Sequence, residues 1–365
     1  MLTTSQCNED YNQRCNDEIE QYYHLHDHSD TDPSEVSGNV EEKYAQGGQT
    51  IGPYPNCTHH TTGLFSTIFK TQQASPPRTL AIKLTTPSQC QPPHNVKREA
   101  RILAKAKHPN VIQLLETHTL RSGHFLLVFP FQPLDLAALL NKGRLESPQQ
   151  KRILHDLFTA LSHLHSLHII HRDIKPSNIL LASSTGPAYL ADFGIAWMPD
   201  DPASEAANEK ITDVGTTCYR PPELLFGKRD YGVEIDLWAA GCVVAEVVRG
   251  EASKGTEGKG SGWSLFDAGE LGSELALVKN IFQTLGTPDE KIWPETKDLP
   301  DWGKMTFVNF PGKSWAEILP NASTEGKDLV SQLVRYQSTE RLRAANVLKH
   351  VFFQNMTAND GGMMS

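Results

Sequence analysis

Two regimes of hydrophobic spacing meet near residue 135. Before it, apolar residues come in short runs of strand length. Leu64-Phe-Ser-Thr-Ile-Phe69, Thr79-Leu-Ala-Ile-Lys-Leu84 and Phe125-Leu-Leu-Val-Phe129 are rich in branched and aromatic residues, and each reads as a strand. One helical stretch lies among them, from Val96 to Lys107, entered through Pro92-Pro93. Beyond residue 135 the period becomes helical. Ile153, Leu157, Leu161 and Leu164 share one face of the stretch from Gln149 to His165. Val233 to Val248, Leu275 to Leu285, Lys327 to Tyr336 and Ala344 to Phe353 follow in the same mode. Pro199 to Asn208 and the Gly/Lys/Ser stretch 250–262 read as loops. The pattern predicts an α+β protein with a small N-terminal β-sheet lobe carrying one helix (about 49–131) and a larger, mainly α-helical lobe (about 132–354).

Composition narrows the class. With 38 % hydrophobic and 21 % charged residues over 365 positions, the chain suits one large or two closely packed soluble domains. The best apolar stretch, Leu237 to Val248, is interrupted by Glu246 and falls short of the roughly 18 residues a membrane helix needs, so no membrane partner is expected. The N-terminus has no signal-like apolar segment and the six cysteines show no C-x-x-C spacing, which predicts a reducing compartment, nucleus and/or cytoplasm. The net charge of −9 resides in residues 1–48, where eleven acids face only Arg14 and Lys43. That segment reads as a disordered acidic tail, and residues 355–365 as a short disordered C-terminal one. The 32 basic and 32 acidic residues that remain leave the body neutral, without the basic footprint of a nucleic-acid binder.

The candidate chemistry lies in His171-Arg-Asp-Ile-Lys-Pro-Ser-Asn178, followed by Asp192-Phe-Gly194. Phosphoryl transfer asks a protein for a carboxylate to orient the attacking hydroxyl, ligands for Mg²⁺, and cations on the phosphates. Asp173 is the candidate acceptor of the substrate proton, and Lys175, two residues on, can reach a transferred phosphate. Asn178 and Asp192 offer hard oxygen atoms suited to Mg²⁺. Upstream, Leu80-Ala-Ile-Lys83 ends an apolar strand in a lysine, and Glu99 on the next helix is its candidate partner. Any one of these carboxylates alone reads as a surface charge or a helix cap. Their joint order and spacing argue against that reading.

The set resembles the protein kinases, over roughly residues 55–354. The resemblance implies a two-lobed kinase fold, the cofactors ATP and Mg²⁺, and protein substrates. It aligns Phe129-Pro130-Phe-Gln132 with the hinge between lobes, where Phe129 guards the pocket, the Pro130 carbonyl meets the adenine amino group and Gln132 supplies a backbone N–H. Ala81, Ile68 and Leu180 align with the residues that sandwich adenine. Leu103, Leu114, His171 and Phe193 align with a stacked spine. Glu223 of Pro-Pro-Glu is expected to pair with Arg341, and Asp236 to anchor the catalytic loop.

Ile281-Phe-Gln-Thr-Leu-Gly-Thr-Pro-Asp-Glu-Lys-Ile-Trp-Pro294 is similar to an insert of the cyclin-dependent-kinase-like (CMGC) branch, and Lys175 in H-R-D-x-K-P-x-N resembles serine/threonine kinases. Departures are as telling. Of the three glycines of the phosphate loop only Gly63 remains, Thr61 and Ser66 standing at the other two positions. Leu64 and Phe65 align with the inhibitory phosphosites of cell-cycle kinases. The cyclin-binding helix reads Pro93-His-Asn-Val-Lys-Arg-Glu99, so a cyclin partner is not favoured. Ile211 aligns with the activating phosphothreonine, and of its three arginine clamps Arg98 and Arg172 remain while Trp197 replaces the third. The combination resembles the monomeric fungal kinases that activate cyclin-dependent kinases, which implies such kinases as substrates. Two rival readings stay open: a cyclin-dependent kinase that needs a cyclin, and a catalytically dead scaffold.

Overall fold

The computed structural model describes residues 48–249 and 263–354. The acidic tail, the 250–262 stretch and the C-terminal tail named above lie outside the described residues. The N-terminal part builds an antiparallel sheet from β1 (Gln49–Ile51), β2 (Tyr54–Thr62), β3 (Ser66–Gln73), β4 (Arg78–Thr85), β5 (Glu116–Thr119) and β6 (Phe125–Pro130), in the order β1-β2-β3-β4-β6-β5. Helix α1 (Val96–Lys105) connects β4 to β5. Asn95 caps it, its side chain accepting from Arg98 N at 2.9 Å.

Past the connector at 131–133 the chain forms β7 (Leu134–Asp135), α2 (Leu136–Asn141) and α3 (Ser147–Ser166). A 3-10 turn, Pro176–Asn178, then leads into β8 (Ile179–Leu181) and β9 (Ala188–Leu190), which complete a small sheet ordered β7-β8-β9. Six further helices are described: α4 (Pro222–Leu225), α5 (Glu234–Val248), α6 (Glu274–Leu285), α7 (Trp315–Ile318), α8 (Thr324–Leu333) and α9 (Ala344–Val347). Every residue of α5 from Ile235 to Val248 is buried, so it forms the axis of this lobe. Gly241 lets α8 approach: a Cβ there meets Val334 Cγ2 at 2.7 Å and Leu333 Cβ at 2.8 Å. No helix among the described residues is long and apolar enough to cross a membrane.

The strand at 64–69 starts later than its apolar run predicts. Gly63 N donates to Ser66 O at 2.8 Å and closes a turn, so Leu64 is exposed and β3 begins at Ser66. Strands β2 and β5 carry no apolar alternation, because β2 buries only Cys57 and β5 buries nothing fully. Helix α8 stops at Leu333, short of Tyr336. The stretch 344–353 is not one helix either. It breaks after Val347 and restarts as a 3-10 turn at Val351–Phe353, capped by His350 Nδ1 accepting from Phe352 N at 3.1 Å.

Candidate active site

Three segments place the lysine and its acids, two in the N-terminal lobe and one in the C-terminal lobe. Register sets Lys83 on β4 opposite Ile68 of β3 and Leu127 of β6. Its Nζ reaches Glu99 Oε1 at 2.8 Å and Oε2 at 2.9 Å, from the first turn of α1, and Asp192 Oδ1 at 2.9 Å. Burial alone lowers the lysine's pKa, but the charges of Asp192 and Glu99 overrule it and hold the ammonium above its ordinary range. The Lys83 charge keeps the Asp192 carboxyl well below the usual carboxylate range. Asp192 is half-exposed and carries a positive φ of 63°, a strained backbone for a non-glycine residue.

Asp236, at the start of α5, fixes the catalytic loop from below. Its buried carboxylate accepts from His171 N and Arg172 N, each at 2.9 Å, and pairs with His165 Nε2 at 3.1 Å. Two buried amides that helix and sheet leave over are thereby satisfied. Arg172, at φ 72°, is a second strained position held by this anchor. His171 is fully buried, neutral because burial lowers its pKa, and its Nε2–H donates to Ala191 O at 3.0 Å. Its ring meets Phe193 edge-on, 4.7 Å between centroids. Leu103 is buried and Leu114 half-buried in the same continuous core, so the four spine positions join the lobes as one apolar body.

On that support stands a tight polar cluster. Asp173 Oδ2 lies 2.8 Å from Lys175 Nζ and accepts from Asn178 Nδ2 at 2.9 Å. Asn178 Nδ2 also donates to the Asp173 carbonyl at 2.8 Å, which leaves the amide oxygen of Asn178 as its acceptor side. Thr216 closes the cluster. Its N and Oγ1 both donate to Asp173 Oδ1 at 3.0 Å, while Lys175 Nζ donates to Thr216 Oγ1 at 2.9 Å. Sequence reasoning missed Thr216, although Val214-Gly-Thr-Thr ahead of Tyr-Arg-Pro-Pro-Glu was its available signal.

The cleft above carries the remaining candidates. Ala81 pairs with Phe129 across β4 and β6, Pro130 ends β6 opposite Leu80, and Phe131 N donates to Thr79 O at 3.0 Å. Gln132 is half-buried in the connector that follows. Ile68 on β3 and Leu180 on β8 are half-buried and belong to different sheets, one above and one below. Gly63 forms the turn of the β2–β3 hairpin, and a Cβ on it meets nothing nearer than Ser66 O at 3.7 Å. The fold itself therefore does not demand a glycine at 63.

Residues 61–353 match the protein kinase domain. This chain belongs to the protein kinase family. It is 36 % identical over 281 residues to the serine/threonine-protein kinase csk1 of Schizosaccharomyces pombe, covering 77 % of this chain and 88 % of that protein. As a protein kinase it uses ATP and acts on protein substrates.

The kinase platform is completed by Glu223 on α4 and Arg341, both buried and joined by two contacts of 2.5 and 2.7 Å. Gly215, in the bend ahead of the 3-10 turn Thr217–Tyr219, has φ +75°, and its carbonyl accepts from Arg220 Nε at 2.8 Å. A Cβ at 215 meets Arg172 O at 2.5 Å, so a side chain there does not fit without a backbone shift. Ile211, aligned with the activation site, offers no hydroxyl to phosphorylate. Ile211 packs into an apolar cluster with Trp197, Tyr231 and Leu224, and Tyr231 Oη donates to its carbonyl at 2.6 Å. Arg98 and Arg172 turn instead toward residues 203–205.

Proposed function

We propose that this kinase transfers the γ-phosphate of Mg-ATP to serine or threonine hydroxyls of proteins, and that its substrates include the activation segments of cyclin-dependent kinases. The Asp173–Lys175–Thr216–Asn178 cluster is the observation that carries the transfer reading. Asp173 is held by three donors with one carboxylate edge beside Lys175, the arrangement of a base that receives a hydroxyl proton while a cation meets the incoming phosphate. Lys83, oriented by Glu99, is the cation for the nucleotide phosphates. Ile68, Ala81, Leu180 and the Phe129–Gln132 connector form the adenine slot, with Gly63 over the phosphates.

The donor set fits Mg²⁺. Asp192 is ionised and half-exposed, and the Asn178 amide oxygen is turned away from Asp173. One carboxylate, one amide and the phosphates themselves would hold the cation. When bound, the cation neutralises charge on the phosphates.

The substrate proposal rests on the lost cyclin-type helix, the lost activation threonine and the altered phosphate loop, all features of kinases that act upstream as single chains. We place its work in the nucleus and/or cytoplasm, as a monomer without a cyclin. Incubating the purified chain with Mg-ATP and an unphosphorylated cyclin-dependent kinase tests this. The expected result is labelling of the substrate's activation-segment threonine, abolished by Asp173→Asn. Labelling only after a cyclin is added favours the conventional cyclin-dependent reading, and ATP binding without transfer favours a scaffold.

A further inference from the structure

Residues 201–205 lie against α1 and the catalytic loop. Segments of this kind are ordered when a new anion meets a cluster of arginines. Here the anion belongs to the chain. Glu205 Oε1 and Oε2 accept from Arg172 Nη1 and Nη2 at 3.1 and 3.2 Å, a fork-to-fork pair, and Arg98 Nη1 lies 3.9 Å from Oε2. Both arginines are buried, Arg98 to 2 % and Arg172 to 4 % exposure. Burial works against ionisation of Glu205, and the hydrogen bonds and charge of Arg172 with the charge of Arg98 overrule it, so its carboxyl is held below the usual range.

The position of the two arginines gives the contact its reach. Arg172 immediately precedes Asp173, and Arg98 immediately precedes Glu99, the partner of Lys83. One carboxylate therefore touches the catalytic loop and α1 together. The same segment fastens to α1 twice more. Arg98 Nη1 donates to Ala203 O at 2.7 Å, and Arg101 grips Asp201 through Nε at 2.7 Å and Nη2 at 2.8 Å. Trp197, which replaces an arginine, donates its Nε1–H to the Glu205 carbonyl at 2.9 Å, and Lys210 Nζ sits 4.7 Å over its ring.

We propose that Glu205 is the built-in counterpart of an activating phosphate, a positioning residue that sets α1 and the catalytic loop for transfer, with Asp201 seating the segment on α1 where a regulatory subunit is otherwise needed. Arg98 Nε and Arg172 Nε are buried without a hydrogen-bond partner among the described residues. Glu205 is the carboxylate that meets both guanidinium groups. Removing its side chain opens the pair to a free anion.

The test uses the full chain, a generic protein substrate and Asp173→Asn as the zero of the assay. Wild-type activity above that zero tests the transfer reading, on which this inference rests, by itself. Glu205→Gln keeps shape and loses charge, and kcat is expected to fall by about 10²-fold with little change in the KM for ATP, as for a displaced reacting group. Glu205→Asp is expected to retain more activity than Glu205→Gln. Millimolar inorganic phosphate is expected to raise the activity of Glu205→Ala but not of wild type, a response that a merely structural side chain does not give. Phosphatase treatment is expected to leave wild type unchanged. Wild-type kcat in Glu205→Gln, a folded Glu205→Ala indifferent to phosphate, or loss of wild-type activity on phosphatase treatment each overturns the proposal. If Glu205→Ala does not fold, the Gln and Asp variants decide: Asp no better than Gln contradicts it.

Discussion

The floor and the lid of the ATP cleft are built by opposite means. The floor hangs from α5, a helix buried along nearly its whole length, whose Asp236 ties down two successive backbone amides of the catalytic loop. Strained residues such as Arg172 and Asp192 persist there because anchors surround them. The lid is a hairpin whose first strand buries a single residue, with Leu64 exposed at the turn. Phe65 is the exception, since its ring packs on His94, 4.6 Å between centroids, at the entry to α1. Groups that must hold sub-ångström geometry stand on rigid supports, while the part that opens for nucleotide is free to vary in sequence. Loss of two lid glycines beside an intact floor is the outcome this division allows.

Asp173→Asn strikes the floor hardest. It is expected to lower kcat by roughly 10³-fold with unchanged folding, measured by transfer rate and circular dichroism. Asp236→Asn strikes the support instead of the chemistry. Leaving one buried loop amide poorly paired is expected to cost about 2 kcal/mol in denaturant unfolding and to lower activity through the loop.

A third test concerns the acid under the substrate platform. Glu246 on α5 is buried, its Oε1 lacks a hydrogen-bond partner among the described residues, and burial pushes its pKa up to about 8 against the Tyr219 hydrogen bond and the Arg249 charge. The native state therefore holds a proton that the unfolded chain releases above its ordinary pKa. Stability is full below that lower value and falls as pH rises to about 8, by up to about 1.4 kcal/mol per pH unit. Glu246→Gln is expected to flatten that slope in unfolding curves taken from pH 5 to 8. The lid gives the smallest effects. Gly63→Ala and Phe65→Ala are expected to keep kcat and raise the KM for ATP by about two- to fivefold. A large kcat loss in either erases the contrast between lid and floor.

Sequence and structure agree most where chemistry dictates residue type at fixed spacing. Asp173, Lys175, Asn178, Asp192, Lys83 and Glu99 were legible because each belongs to a short segment of constrained order, and the fold gathers them into two triads, Lys83–Glu99–Asp192 and Asp173–Lys175–Asn178. The two lobes were legible from the change of hydrophobic period. Strands β2 and β5 were not, since neither has a continuous buried face to leave an apolar mark. Glu205 was hidden for another reason. Its role depends on how residues 199–210 loop back to Arg98 and Arg172, and the position aligned with the activating threonine is Ile211, which lies in an apolar cluster. Trp197 was noticed as a missing clamp arm, but its bond to the Glu205 carbonyl needed the structure.

The most direct measurement of the whole account is the kcat of the phosphatase-treated chain, alone with Mg-ATP and an unphosphorylated cyclin-dependent kinase, against Asp173→Asn. The account predicts transfer about 10³-fold above the mutant with no cyclin present. A rate equal to the mutant's contradicts it.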